Sequence, residues 1–159
     1  MVLSIYLFLS LPTPVKITPS DWQIYTHPNL NFSFRYPKEY QFLPFNPYET
    51  NQVDRIDSPD YLVKNGLHIR GISYSIYTVN SQCGNLSTSP VLSNIKPLII
   101  NGLTIHTYHS FSNRVSADGA QIPLPDNCLY LVASHAPNYD SIWESQFHQI
   151  LSTIKFTQN

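Results

Sequence analysis

The stretch HTYH brings two histidines, His106 and His109, close enough in the sequence to suggest a metal site or proton transfer. On a helix, a spacing of three would place both imidazoles on one face. The apolar β-branched residues around them predict a strand instead, and in a strand an odd spacing places two side chains on opposite faces. The pair is therefore not expected to bind one metal ion.

The two faces of this predicted strand differ in character. His109 shares its face with apolar residues, so we expect a partly buried histidine with a hydrogen-bonding partner. The other face carries polar side chains: Thr104, His106, Tyr108 and Ser110. We expect that face mainly to meet water, and His106 and Tyr108 are its candidate binding residues. A hydrolase that uses His106 and nearby hydroxyls is one alternative function.

Three carboxylates recur at every third residue in DRIDSPD, at Asp54, Asp57 and Asp60. A calcium loop of the EF-hand type needs alternating oxygen ligands and an essential glycine, and this stretch lacks that pattern. We therefore expect a solvated loop. The sequence also contains no G-x-S-x-G elbow, no glycine-rich phosphate loop and no H-E-x-x-H motif. No catalytic residue, metal or cofactor is predicted.

Cys83 and Cys128 are the only cysteines, and neither has a second Cys or His at a zinc-like spacing. Two well-separated cysteines in an exported domain usually form one disulfide. In the chain-entropy model, closing a loop of this length stabilises the fold by roughly 4 kcal/mol. We predict such a bond between Cys83 and Cys128; two unpaired thiols in a cytosolic protein are the alternative.

Size and composition suit one strand-rich domain outside the cytoplasm. The 159 residues fit a single domain. Only 12% of them are charged, against about 25% in typical soluble proteins. The net charge is -1 and the Lys and Arg residues are scattered, so the basic stripe of a nucleic-acid-binding protein is absent. Nucleic acid is therefore not an expected partner.

The N-terminal residues are predicted to lie outside the folded domain. Residues 2–11 form an apolar run with the length of a signal-peptide h-region, shorter than the roughly 18 to 20 residues that span a membrane. We interpret residues 1–19 as an apolar signal or anchor remnant with a Pro-rich linker. Residues 20–159 are then one domain; a buried first strand is the alternative for the apolar run.

The elements that would position these side chains are mostly strands. Phe32, Phe34 and Tyr36 share one parity, which is the period of two expected of a half-buried strand. Tyr40, Phe42 and Phe45 are expected to cover the edge of the same core. Asn101-Gly102 separates two β-branched runs and predicts a two-residue type I′ hairpin.

The middle of the chain alternates between strand and loop patterns. Residues 61–79 predict further strands, with a tight turn at Asn65-Gly66 and a β-bulge at Gly71, where the apolar phase slips. Residues 80–94 and 112–127 are polar and lack periodicity, so we expect surface loops. Because loops carry function on a rigid scaffold, these two are the candidate partner-binding edge.

The chain is predicted to end in an amphipathic helix. Ser141 and Glu144 match a capping box. An apolar stripe follows at helical spacing: Trp143, Phe147, Ile150, Leu151 and Ile154. The letters IKF after it indicate a short strand.

Two stretches resemble the two ends of PsbP-like domains. WQIYTHPNLNFSFRYP is similar to their opening, where a Trp and Tyr strand precedes an aromatic strand ending in Tyr-Pro, and FHQILSTIKF is similar to their closing helix and strand. The resemblance runs from Trp22 to Phe156. It implies the α+β Mog1/PsbP fold, a central antiparallel β-sheet flanked by helices. The middle departs from the pattern, because SQCGNLSTSPVLSNIK is too polar and Pro-broken for the long helix expected there.

The resemblance also implies a class of function. Members of that family include extrinsic photosystem subunits, a nuclear GTPase-binding protein and exported bacterial proteins, which share binding or assembly rather than catalysis. We therefore expect a non-catalytic extracytoplasmic domain on the outer face of the cytoplasmic membrane. Its partner would be a protein or cell-envelope component, and its N-terminus a membrane tether. A cytosolic GTPase-binding-type adaptor is the other alternative.

Overall fold

A computed structural model of the chain describes residues 21–45, 53–65, 67–111, 115–136 and 140–156, with the backbone alone for residues 68 and 140–143. Within these ranges the chain forms twelve β-strands and one α-helix. The strands are β1 (Gln23–Thr26), β2 (Phe32–Tyr36), β3 (Gln41–Leu43), β4 (Asp54–Asp57), β5 (Leu62–Lys64), β6 (Leu67–Arg70), β7 (Ile72–Val79), β8 (Leu92–Ile100), β9 (Leu103–Phe111), β10 (Ser116–Pro123), β11 (Cys128–His135) and β12 (Lys155–Phe156). Helix α1 (Asp140–Ser152) lies between β11 and β12.

The strands form one large sheet and two small ones. The large sheet has seven strands in the order β3-β4-β7-β11-β10-β9-β8, and β1-β2-β12 and β5-β6 form separate sheets. Every described strand pair is antiparallel. The predicted α+β class with a central antiparallel sheet is confirmed, but the described ranges contain one α-helix rather than several flanking ones.

The seven-stranded sheet, the three-stranded sheet β1-β2-β12 and α1 share one hydrophobic core. The alternating aromatic residues of β2 are buried in it, as predicted: Phe32, Phe34 and Tyr36. Tyr40 is also buried. Phe42 and Phe45 were expected to cover the same core, but they keep 39% and 46% of their surface exposed, because they lie at and beyond β3, the outermost strand of the large sheet.

Helix α1 confirms the predicted apolar stripe. Its buried residues and the residue after its last turn face the core: Phe147, Ile150, Leu151 and Ile154. The helix begins at Asp140, one residue before the predicted cap Ser141, and the side chains of Ser141 and Trp143 lie outside the described residues. β12 follows and pairs with β2. In the described part of the chain, no helix is long and apolar enough to cross a membrane.

Two tight turns appear where Asn-Gly predicts them. Asn101 and Gly102 connect β8 to β9 with φ angles of +50° and +80°, the left-handed values that a type I′ turn requires. Asn65, between β5 and β6, has a φ of +53°; Gly66 lies outside the described residues. Gly71 is not a bulge within one strand. It separates β6 from β7, where the chain leaves the small hairpin and enters the large sheet.

One segment predicted as a loop is a central strand. Residues 116–123 belong to the predicted loop 112–127, yet they form β10 between β9 and β11. Most of β10 is buried on both faces, so small and polar residues such as Ser116, Gly119 and Gln121 replace the apolar alternation. Of the predicted loop 80–94, residues 80–91 keep their loop character apart from a 3₁₀ turn at Leu86–Thr88 and contain no long helix. Residues 92–94 instead begin β8.

The solvated loop predicted for the aspartate repeat is confirmed for Asp60, which lies in an exposed turn, and is wrong for Asp54 and Asp57. Asp54 and Asp57 are the first and last residues of β4, which pairs with β3 and β7 rather than forming a solvated loop. Asp57 is only 8% exposed and forms an ion pair with Arg55 at 3.0 Å. Asp54 accepts a hydrogen bond from the Tyr25 hydroxyl at 2.6 Å. Each carboxylate has a partner at one oxygen, which offsets part of the hydration lost in the strand, while Asp57 Oδ1 is buried without a hydrogen bond from any described residue.

Candidate functional site

Strand β11 shows how the large sheet divides into two faces. Leu129 and Leu131 are fully buried on the face that α1 covers, whereas Tyr130 between them is half-buried on the other face. We call the first the helix face. The second carries Tyr77, Tyr108 and Tyr130, and we call it the tyrosine face. Strand register places His106 on the tyrosine face and His109 on the helix face, as the sequence predicts.

Tyr108 is not the solvent-facing residue that the sequence predicts. It is 8% exposed, and its ring lies over Gly119 of the neighbouring strand, where an added Cβ atom would overlap the ring. A glycine inside a strand often marks such a close approach. Burial, together with the nearby Tyr77 and Tyr130, raises the pKa of Tyr108. The phenol therefore stays protonated at neutral pH.

The other two tyrosines complete a fixed cluster. The rings of Tyr77 and Tyr130 stack with centroids 5.0 Å apart and planes 8° apart. Tyr77 forms a side-chain hydrogen bond with Tyr108, and Gln121 Nε2 donates to the Tyr130 hydroxyl at 3.1 Å. His106 is half-buried beside Gln121. Within the ranges that the structure describes, no hydroxyl or carboxylate is hydrogen-bonded to its ring.

Cys83 and Cys128 form the predicted disulfide, which joins the loop of residues 80–91 to the start of β11. The side chain of Gln121 also donates from Nε2 to the carbonyl oxygen of Gly84 at 2.9 Å. The loop is thus held at two consecutive residues, beside the tyrosine face. A covalent bond and a hydrogen bond from the sheet limit the conformations available to it.

The segments predicted to form a binding edge, residues 80–94 and 112–127, lie close together over only part of their length. Residues 80–91 and the turn at residues 124–127 lie together at the disulfide end of the large sheet. Between them in sequence, β10 occupies the interior of the sheet. Residues 112–114 lie outside the described residues.

On the helix face, His109 belongs to a polar cluster. Its Nδ1 donates to Asp118 Oδ1 at 2.9 Å, and its Nε2 lies 3.4 Å from Ser116 Oγ. The buried His135 places its Nε2 3.5 Å from the other carboxylate oxygen of Asp118. His109 is therefore the partly buried, hydrogen-bonded histidine that the sequence predicts. Its partners could be found only by recognising β10 as a strand.

His135 and His109 lower the pKa of the Asp118 carboxyl. Burial alone would raise the pKa of this carboxyl. Hydrogen bonds from His135 and His109, with the attraction of their charges, outweigh burial, so the pKa of Asp118 lies below its ordinary value. The carboxylate stays ionised at neutral pH and orients the ring of His109.

Ser116, His109 and Asp118 are connected in the order that serine hydrolases use. A nucleophilic serine must be reachable by a substrate, and Ser116 is 0% exposed. The three residues therefore form an internally satisfied network without an accessible nucleophile.

A cavity of about 320 Å³ lies beside this network, bordered by β8, β9, β10 and α1. Its lining is Phe147 and eight residues with polar groups: Asn94, Lys96, Thr107, Tyr108, His109, Asp118, Glu144 and His148. In the described part of the chain, no group of three His, Cys, Asp or Glu side chains is placed to hold a metal ion. The cavity is nevertheless a place on the helix face where a small polar molecule could reach ionisable side chains.

Solved structures of other proteins share this architecture. The solution structure of cyanobacterial PsbP (CyanoP) from Synechocystis sp. PCC 6803 matches with a TM-score of 0.57 at 13% identity, over 94% of this chain and 99% of that chain. A crystal structure from Bacteroides thetaiotaomicron VPI-5482 matches with a TM-score of 0.53 at 11% identity, over 87% of this chain and 50% of that chain. No protein-family model and no curated protein matches the chain. The chain therefore has a PsbP-like fold, the fold that its two ends resemble in sequence.

Proposed function

We propose that this chain is a non-catalytic binding domain that acts outside the cytoplasm and holds a protein partner on its tyrosine face. The observation that carries the proposal is the arrangement of Tyr77, Tyr108 and Tyr130. Stacking and hydrogen bonds fix the three rings before any partner arrives, yet Tyr77 and Tyr130 remain half-buried.

Tyrosine suits this role for two physical reasons. It offers a large amphipathic surface, and it loses little side-chain entropy on binding because it has only two rotatable angles. In this cluster, that cost is further reduced because the rings are already ordered. Tyrosine is accordingly enriched in protein interfaces.

The surroundings favour a protein over a polyanion. The strand residues next to the cluster on this face, Ser75, Gln121 and Val132, carry no charge. A nucleic acid or an anionic lipid surface would need unpaired Lys or Arg there. Arg55, which lies opposite Ser75 on this face, is paired with Asp57. The tethered loop of residues 80–91 adds polar groups at the rim, which is where interfaces are commonly polar.

The disulfide supports a location outside the cytoplasm, because such bonds persist in oxidising compartments. The apolar residues 2–11 would then tether the domain to the outer face of the cytoplasmic membrane. Thiol labelling in intact source cells, with and without prior reduction, tests the location. We expect Cys83 and Cys128 to react only after reduction; reaction without reduction in opened cells would favour the cytosolic adaptor instead.

The binding face is tested by photocrosslinking in intact cells. A photoreactive amino acid replaces Thr104, an exposed residue on the tyrosine face, and in a control protein it replaces Ile24, which is exposed on β1. We expect a discrete adduct from position 104, and no such adduct from position 24. Tyr77→Ala or Tyr130→Ala should remove most of it while the domain remains folded by circular dichroism.

Three results would reject the tyrosine face as the binding face. They are the absence of an adduct from position 104, an equal adduct from position 24, and an adduct that persists at full yield in both tyrosine variants.

A further inference from the structure

The cavity beside α1 concentrates ionisable groups in a protein that has few of them. The chain contains nine Lys and Arg, ten Asp and Glu and six His among 159 residues. Five of the nine residues that line the cavity are of these types: Lys96, His109, Asp118, Glu144 and His148. A pocket with a few convergent polar groups is the usual form of a small-molecule site.

Two of these groups, Lys96 and Glu144, carry a charge that no other residue of the lining pairs with. Asp118 accepts a hydrogen bond from His109 and lies 3.5 Å from the Nε2 atom of His135. Lys96 and Glu144 project from different walls, the first from β8 and the second from α1. Neither forms an ion pair with any residue in the described ranges. The cavity therefore offers a cation on its strand side and an anion on its helix side.

The edge strand is deformed where it borders the cavity. The register of β8 against β9 shifts between Ser93 and Lys96, and Asn94 in this stretch has a φ of +52°, a left-handed conformation uncommon outside glycine. After the shift, Thr107 Oγ1 donates to the carbonyl oxygen of Lys96 at 3.3 Å. Bulges often lie next to functional sites because they re-aim a side chain. Here the irregularity directly precedes the cavity's lysine.

We propose that this cavity binds a small zwitterion, with its carboxylate at Lys96, its ammonium at Glu144 and an apolar part toward Phe147, which also lines the cavity. A free α-amino acid with an apolar side chain has these three parts. The volume of about 320 Å³ lies at the lower end of the roughly 300 to 1,000 Å³ usual for ligand pockets. The size therefore suits an amino acid better than a large cofactor. The proposed ligand contacts lie on the helix face and do not involve the tyrosine face, although Tyr108 also lines the cavity.

Three related ligands separate the two charges. L-leucine carries both, L-leucinamide lacks the carboxylate and 4-methylpentanoate lacks the ammonium. Each is titrated at neutral pH into the isotope-labelled chain, and amide shifts are followed by NMR. We expect leucine to bind with a Kd below about 1 mM, with shift changes at Thr107 and His109. Each of the other two ligands should bind at least about tenfold more weakly, because one charge pair is lost.

Charge-removing variants assign each end of the ligand. Lys96→Gln should weaken leucine and 4-methylpentanoate by about tenfold and leave leucinamide unchanged. Glu144→Gln should weaken leucine and leucinamide and leave 4-methylpentanoate unchanged. Both side chains are exposed, so the fold should be retained. The matched controls Lys155→Gln and Glu39→Gln, at exposed positions outside the cavity, should leave all three affinities unchanged.

Several outcomes would overturn the proposal. No saturable shift up to about 10 mM leucine, tenfold above the expected limit, would do so, as would shifts confined to residues away from the cavity. Binding of 4-methylpentanoate as tight as that of leucine would show a simple carboxylate site. A leucine affinity that neither cavity variant changes would show that these two charges do not hold the ligand.

Discussion

The two faces of the large sheet are built from alternate residues of the same strands, yet they end in different states. Along β11, Leu129 and Leu131 are 0% exposed beneath α1, while Tyr130 and Val132 on the other face are half-buried. The helix face is covered by core packing against α1, apart from the cavity beside that helix. The tyrosine face is held by ring stacking, hydrogen bonds and a disulfide-tethered loop. Strand parity thus separates the residues that stabilise the fold from those that remain available to a partner.

The largest stability effect is expected in the core. Phe34 is 1% exposed, so Phe34→Ala should lower the free energy of unfolding by about 3 to 5 kcal/mol, because it removes a large apolar surface and leaves a cavity. Phe42→Ala is the matched control. Phe42 is 39% exposed, and its loss should cost less than about 1 kcal/mol. Urea unfolding measures both, and a cost below about 1 kcal/mol for Phe34→Ala would contradict its place in the core.

The second largest effect on stability is expected from the disulfide that tethers the loop beside the tyrosine face. Cys83 and Cys128 are 45 residues apart, so replacing both with Ser should lower the free energy of unfolding by about 4 kcal/mol in the chain-entropy model. Reductant should destabilise the wild-type protein by a similar amount and leave the double variant unchanged. Denaturant titrations with and without reductant provide the comparison. A wild-type protein insensitive to reductant would contradict the role of the bond.

A third variant disturbs the tyrosine face from within. Gly119→Ala places a Cβ atom into the Tyr108 ring, and overpacking of this kind should cost about 1 to 3 kcal/mol. Gly84→Ala is the matched control, because a Cβ atom there meets nothing within 4 Å. In a Tyr108→Ala background the Gly119→Ala penalty should shrink, as a double-mutant cycle would show. Equal penalties in both backgrounds would mean that Tyr108 is not the residue displaced.

The smallest effect on stability is expected from the polar cluster of His109, Asp118 and His135 on the helix face. Hydrogen bonds from His135 and His109 outweigh burial and lower the pKa of Asp118, so the ionised carboxylate stabilises the fold. That stabilisation is fully present above the unfolded pKa of about 3.9, and it is lost as the pH falls through the lower folded value. Asp118→Asn should therefore be less stable at neutral pH and lose less stability on acidification. Identical acid slopes in unfolding experiments would contradict this.

The elements that could be predicted are those with one buried face. β2, the β8–β9 hairpin, β11 and α1 each show a clear period, because one side meets the core and the other meets a more polar environment. β10 has neighbours on both sides and is mostly buried on both faces, so its sequence lacks alternation. Because β10 was not predicted as a strand, Asp118 could not be identified as the partner of His109. The two residues lie opposite each other in the β9–β10 register.

The sequence by itself determined the local geometry of this protein. Spacing placed His106 and His109 on opposite faces, and Asn101-Gly102 set the β8–β9 hairpin, because side-chain direction and turn conformation are properties of neighbouring residues. The count and separation of the cysteines were enough to predict the disulfide between Cys83 and Cys128.

Tertiary structure alone decided exposure and partnership. Tyr108 lies on the predicted face, yet it is buried because Gly119 of another strand leaves room for its ring. The cavity joins Lys96 of β8 to Glu144 of α1, residues far apart in the chain. Which groups meet across such distances depends on strand order and helix packing, and these arise from the whole core rather than from any local pattern.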